Sequence, residues 1–215
     1  NNKINTKILF LGYWLIKRNI SQITVLVTIR DEIGNIIKRY NEEINSVMSY
    51  EIDVKKEIIK RKLSETLFGS IELEVFSSID MVFPYPAFVV SYVGSSLSSV
   101  VHTCGRIYND IEDVKDNNAY QVAESGFDIL PNKNYSPFFS FTNGPRKIKS
   151  QIINIDIINC LGKKLSKSIS IKNIEPYQTK FIFFINKGEK KFFLERKGIV
   201  KIHHNFRSFF PRFLC

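Results

Sequence analysis

Apolar and polar residues alternate along most of this chain with a period of two, the signature of strands that set every second side chain against a core. In the run Ile23-Thr24-Val25-Leu26-Val27-Thr28-Ile29 every odd position is β-branched. Ile71, Leu73 and Val75 alternate with Glu72 and Glu74, Ile153, Ile155 and Ile157 alternate with Asn154 and Asp156, and Tyr177, Thr179, Phe181 and Phe183 share one expected inner face after Pro176. Turn residues separate these runs at Asp31-Glu32-Ile33-Gly34, Phe68-Gly69, Asn143-Gly144-Pro145, Cys160-Leu161-Gly162, Lys187-Gly188 and Lys197-Gly198. Residues 8–16, interrupted by Gly12, read as one more strand. Helical spacing is confined to residues 55–66, where Ile58, Ile59 and Leu63 predict one short helix.

The pattern occurs twice. Ile29-Arg30-Asp31-Glu32-Ile33-Gly34-Asn35 is matched by Ile157-Ile158-Asn159-Cys160-Leu161-Gly162-Lys163, each a strand ending in a turn glycine. Tyr50-Glu51-Ile52-Asp53-Val54 is matched by Tyr177-Gln178-Thr179-Lys180-Phe181, and Gly69-Ser70-Ile71-Glu72-Leu73 by Gly198-Ile199-Val200-Lys201-Ile202. Each half then reaches an aromatic and proline cluster, Phe83-Pro84-Tyr85-Pro86-Ala87-Phe88 in one and Phe209-Phe210-Pro211-Arg212-Phe213 in the other. The expected fold is therefore all-β: two related antiparallel β-sandwich modules in tandem, residues 1–100 and 135–215, joined by an acidic insertion at 101–134. The first module runs on past Phe88 into Val89-Val90-Ser91-Tyr92 and Ser99-Val100-Val101-His102, whereas the second stops soon after Phe213. That mismatch predicts a natural chain extending beyond Cys215.

Charge sharpens the division. The formal charge of +10 is concentrated in residues 146–215, with 16 basic and 4 acidic side chains, while residues 101–130 hold 2 basic and 6 acidic ones. Composition alone can raise lysine, because 31 Ile, 22 Lys, 18 Asn and 18 Phe are the usage an AT-rich gene tends to give. Hydrophobic residues at 44% and charged residues at 24% exclude disordered, collagenous and disulfide-framework classes. Cys104, Cys160 and Cys215 form no CxxC pair, so neither a disulfide framework nor a structural zinc site is expected. The apolar run at 8–16 is far shorter than the roughly 20 residues a membrane-spanning helix needs. The compartment is left open. No H-E-x-x-H, G-x-S-x-G, G-x-G-x-x-G or G-x-x-x-x-G-K-[ST] occurs, and no metal or cofactor is expected.

Two polar groups are candidates for chemistry. The first follows the first module: His102, Arg106, Tyr108, Asn109 and Asp110, then Glu124 and Asp128. It offers a base, a cation and several carboxylates, the raw material of ligand contact or of acid–base catalysis. A structural account is equally available, since Arg106 can pair with Asp110 and Asn109-Asp110 can shape a turn. The second is the stretch from Lys201 to Phe213, in which cations and aromatics interleave. Aligned on the repeat, His204 falls at an inward position and His203 at an outward one, leaving Lys201, His203, Arg207 and Arg212 as surface candidates.

These features favour a non-catalytic tandem β-sandwich module, for binding or for structure, with a carbohydrate or another anionic polymer as ligand. Duplication raises avidity for a repeating ligand and gains an enzyme little. One alternative is a hydrolase or sugar-modifying enzyme with its site at the module boundary. Another is single-stranded nucleic-acid binding by the basic second module, with aromatics stacking on bases and cations tracking phosphates. The repeat also sets outward Glu72 and Glu74 against outward Lys201 and His203, a basis for self-association through opposite-charge sheet faces.

Overall fold

The computed structural model describes residues 4–59, 68–79, 88–95, 98–103, 124–132, 134–204 and 212–214. Most of the two aromatic and proline clusters, at 83–87 and 209–211, lies outside them. The strands form four antiparallel sheets in two compact units, one of residues 1–31 and 35–109, the other of residues 32–34 and 110–215. No helix among the described residues is long and apolar enough to cross a membrane.

The first unit runs β1 (Ile4–Leu11), α1 (Tyr13–Arg18), β2 (Ile23–Asp31), β3 (Ile36–Ile44), β4 (Ser49–Asp53), α2 (Val54–Ile59), β5 (Gly69–Ser77), β6 (Phe88–Gly94) and β7 (Ser98–Thr103). Its sheets have the orders β4-β1-β6-β7 and β3-β2-β5. Alternation on β2 sends Ile23, Val25, Val27 and Ile29 inward, each at 1% exposure or less. They share a core with Ile8, Phe10, Tyr50, Ile52 and Phe88 of the other sheet. There Phe10 stacks on Tyr50 at 5.3 Å between ring centroids. Residues 8–16 are not one strand. Gly12 donates its N–H to the Met48 carbonyl at 3.0 Å, in a space where a Cβ would lie 2.5 Å from the Ser46 oxygen, and the chain turns into α1 to bury Trp14. The helix expected at 55–66 is represented by α2, and residues 60–67 lie outside the described set.

The second unit runs β8 (Glu124–Ile129), β9 (Phe138–Thr142), β10 (Gln151–Asn159), β11 (Lys164–Ile171), β12 (Thr179–Phe183), a 3-10 helix (Glu189–Phe193), β13 (Gly198–His203) and β14 (Arg212–Leu214). Its sheets have the orders β11-β10-β13-β8 and β12-β9-β14. Ile153, Ile155, Ile157, Val200 and Ile202 are all 0% exposed and pack with Phe139 and Phe141 of the other sheet. Full burial of a side chain of this size contributes about 1.5–3 kcal/mol. Two stretches of the expected connector are strands: the end of β7, and β8, which pairs along the whole of β13.

On β12 the expected inner face holds at Thr179, which is buried, and fails at Phe181 and Phe183. Ile182 packs on the core, followed by buried Phe184, while Phe181 and Phe183 are 36% and 68% exposed. Every residue from Phe181 to Ile185 is apolar, so the sequence carries no alternation there and packing alone decides the face.

Small polar and glycine devices close the hairpins. Asp31 accepts the Asn35 N–H at 2.8 Å, and Asn159 accepts those of Leu161 and Lys163 at 3.0 Å each. Each turn contains a glycine at positive φ, Gly34 at 98° and Gly162 at 75°. Buried Asn159 also donates to the Phe192 carbonyl at 2.9 Å, tying its turn to the 3-10 helix. The first residues of β5 and β13 are glycines for a second reason. A Cβ on Gly69 would lie 1.9 Å from the Arg30 oxygen, and one on Gly198 would lie 2.7 Å from the Ile158 oxygen. Gly198→Ala is expected to destabilise by more than ~2 kcal/mol through this clash. Gly162→Ala has open space around it and is expected to lose only about 1–2 kcal/mol of stability, through backbone strain at positive φ. Urea denaturation of the two variants beside the parent checks the order.

Candidate functional site

Because Ile153, Ile155 and Ile157 point inward, the even positions of β10 face out, and the register carries that parity across the sheet. Asp156 lies opposite Ser166 on β11 and Lys201 on β13, and Asn154 lies opposite Ser168 and His203. Three strands converge on the Asp156 carboxylate. Ser166 Oγ donates to Oδ1 at 2.7 Å, while Lys164 Nζ and His203 Nε2 reach Oδ2 at 2.8 and 3.0 Å. Hydrogen bonds from Lys164, then Ser166, then His203 hold the Asp156 carboxyl down at about 2. Beside this group Ser168 Oγ donates to Asn154 Oδ1 at 2.8 Å.

Serine, carboxylate and histidine meet here in an order that does not activate a nucleophile. Catalysis of that kind needs the imidazole between the hydroxyl and the acid, so that the base takes the hydroxyl proton. Here the carboxylate is in the middle, and an acid with a pKa near 2 is too weak a base to draw a proton from serine. The group's chemistry is cohesion: one anion gathers a lysine, an imidazole and a hydroxyl from neighbouring strands. It also places negative charge at the centre of a face that composition alone marks as basic.

The residues expected from the sequence are distributed as follows. Lys201, His203, Asp128 and Glu124 belong to this one sheet, where His203 lies opposite Glu124 and Ile199 opposite Asp128. The sequence had set them in two separate groups. Lys201 and His203 are half-buried on the outward face, and Asp128 is exposed. His204 is inward, at 5% exposure, and burial holds its imidazole below the usual 6.5. His102 is exposed on β7 of the first unit, opposite Val89. Arg212 is on β14 opposite Thr142. Arg106, Tyr108, Asn109, Asp110 and Arg207 lie outside the described residues. Glu72 and Glu74 meet Arg30 and Arg39 on their own sheet, at 2.5 and 3.5 Å. Among the described residues no three His, Cys, Asp or Glu side chains converge as metal ligands.

A feature absent from the sequence reading is aromatic. The exposed Phe181 and Phe183 of β12 flank Phe138 of β9, with ring centroids 5.7 and 5.6 Å away and planes tilted by 48° and 46°. The register sets Phe183 directly opposite Phe138. The lead-in to β9 is pinned by Lys190, whose Nζ donates to the carbonyls of Asn132 and Tyr135 at 2.8 and 2.9 Å and to Ser136 Oγ at 2.8 Å. In the first unit a shallow hollow of about 480 Å³ opens at the end of the β3-β2-β5 sheet, between Thr24, Glu43, Asn45 and the half-exposed Phe76. Comparison with family models, curated proteins and solved structures finds no match to this chain.

Of the groups whose loss lowers stability in acid, His204 and Asp156 act in separate windows. His204 binds its proton less readily folded than unfolded, so its contribution is present above pH 6.5 and is lost as the pH falls below that value. Asp156 has a folded pKa below its unfolded value of 3.8, so its contribution is present above 3.8 and fades as the pH falls to about 2. In urea titrations across pH, His204→Phe is expected to flatten the first decline and Asp156→Asn the second.

Proposed function

We propose that this chain is a non-catalytic pair of related β-sandwich modules that binds carbohydrate, with Phe138, Phe181 and Phe183 as the stacking platform. Support for the sandwich reading comes from the cores, each of which draws on both sheets of its unit. Support for common descent comes from strand order. β3-β2-β5 with β4-β1-β6 in one unit runs parallel to β11-β10-β13 with β12-β9-β14 in the other, and the close-packed glycines Gly69 and Gly198 open equivalent strands. A module kept in two copies suits a ligand that repeats.

The observation that carries the ligand reading is the exposed aromatic group. Three rings on a sheet face, two of them substantially open to water, offer flat apolar surface to the C–H faces of sugars. Asp156 argues against a phosphate backbone on the opposite sheet of that unit, since it holds Lys164 and His203 and would repel a polyanion.

A glycan array read at low and high salt, with single-stranded DNA as control, tests the proposal. Binding to a neutral polysaccharide with little response to salt is expected, reduced about tenfold by the double substitution Phe181→Ala, Phe183→Ala and unchanged by Asp156→Asn. Salt-sensitive binding to DNA alone, or cleavage of a glycan, would overturn it.

A further inference from the structure

β5 is the outer strand of the β3-β2-β5 sheet, and among the described residues no backbone pairs with its far edge. The strand in the same place in the other unit, β13, has β8 on that edge. The consequence is visible in burial. With β8 beside them, Val200 and Ile202 are 0% exposed, and Phe127, opposite Val200, and buried Ile129 of β8 join the same core. With no such neighbour among the described residues, Ile71, Leu73 and Val75 of β5 pack on the core yet are only half-buried. An open edge of this kind is a template for another strand.

The charges say what strand. On the occupied edge, the acidic strand bearing Glu124 and Asp128 lies against the basic strand bearing Lys201 and His203. On β5 the outward residues are acidic, Glu72 and Glu74, each with a side chain still 40% exposed beside its arginine. Burial and the neighbouring Glu72 raise the Glu74 carboxyl above its ordinary value, so a further cation there is favourable. Pairing β5 with β5 of a second copy about Leu73 would set Glu72 opposite Glu74, and pairing it with a second copy's β8 would bring Glu124 and Asp128 to the same face. Like charges directly across a ladder are destabilising.

We propose that the far edge of β5, unpaired among the described residues, binds an extended peptide segment by strand addition, the segment presenting apolar residues two apart to the core and lysine or arginine between them to Glu72 and Glu74. This site lies in the first unit and stands whether or not the second unit binds sugar.

The test uses the full chain and a short labelled peptide with Phe and Ile spaced as Phe127 and Ile129 are, lysines occupying the alternate positions. Controls carry glutamate for lysine, or N-methylated amides on the pairing edge. The lysine peptide is expected to bind, more weakly as salt rises, and to slow hydrogen exchange of amides within residues 69–77. Glu74→Lys should weaken it at least about threefold and favour the glutamate peptide. Equal binding of the N-methylated peptide, protection confined to other strands, or no binding at all would overturn the proposal. So would protection of 69–77 by self-association without peptide. Because the exchange readout is made on the unsubstituted protein, the result does not depend on the variant folding.

Discussion

Two short rows of β-branched side chains hold the register of everything else. Ile23, Val25, Val27 and Ile29 on β2, and Ile153, Ile155 and Ile157 on β10, are sealed from water, and each row belongs to an interior strand of its sheet. Slipping either strand by one residue would turn its whole row to solvent and bring Thr24, Asn154 or Asp156 into the core. The cost of burying those polar groups without partners makes the alternative registers inaccessible. Once the rows are seated, neighbouring strands inherit their parity, and the outward positions become free to carry chemistry.

That freedom is what the Asp156 group exploits. Its members are supplied by three strands and are separated by 10 residues to Ser166 and 47 to His203, so no linear spacing announces them. They meet because the register sets β10 between β11 and β13. Coulomb attraction at an edge strand and its neighbours is modest in water, yet one carboxylate engaged by Lys164, Ser166 and His203 also ties the outer strand β11 to the centre of the sheet.

Much of the architecture was legible in the sequence, for reasons that can be stated residue by residue. The strands with polar residues between apolar ones, β2 and β10, announced both their existence and their inner face. The turns at Gly34 and Gly162 were legible because a left-handed backbone selects glycine. β12 was found but Phe181 and Phe183 were set on the wrong face, since an unbroken apolar run has no period. Gly12 was seen as an interruption within a strand, where its close contact with Ser46 in fact ends one. β8 was hidden because only Phe127 and Ile129 alternate in an acidic stretch whose partner strand is distant in sequence. For the candidate site, His203 outward and His204 inward followed from parity. The Asp156 group and the aromatic trio required knowledge of which strands are neighbours, which a single sequence does not contain.

The chain has one tryptophan, Trp14, and it is sealed in the core of the first unit. The second unit builds its separate core from isoleucine, valine and phenylalanine. Intrinsic emission excited at the indole band is therefore a one-sided gauge: it follows the opening of the front half and is blind to the back half. A two-step melt seen by circular dichroism would register optically as a single step.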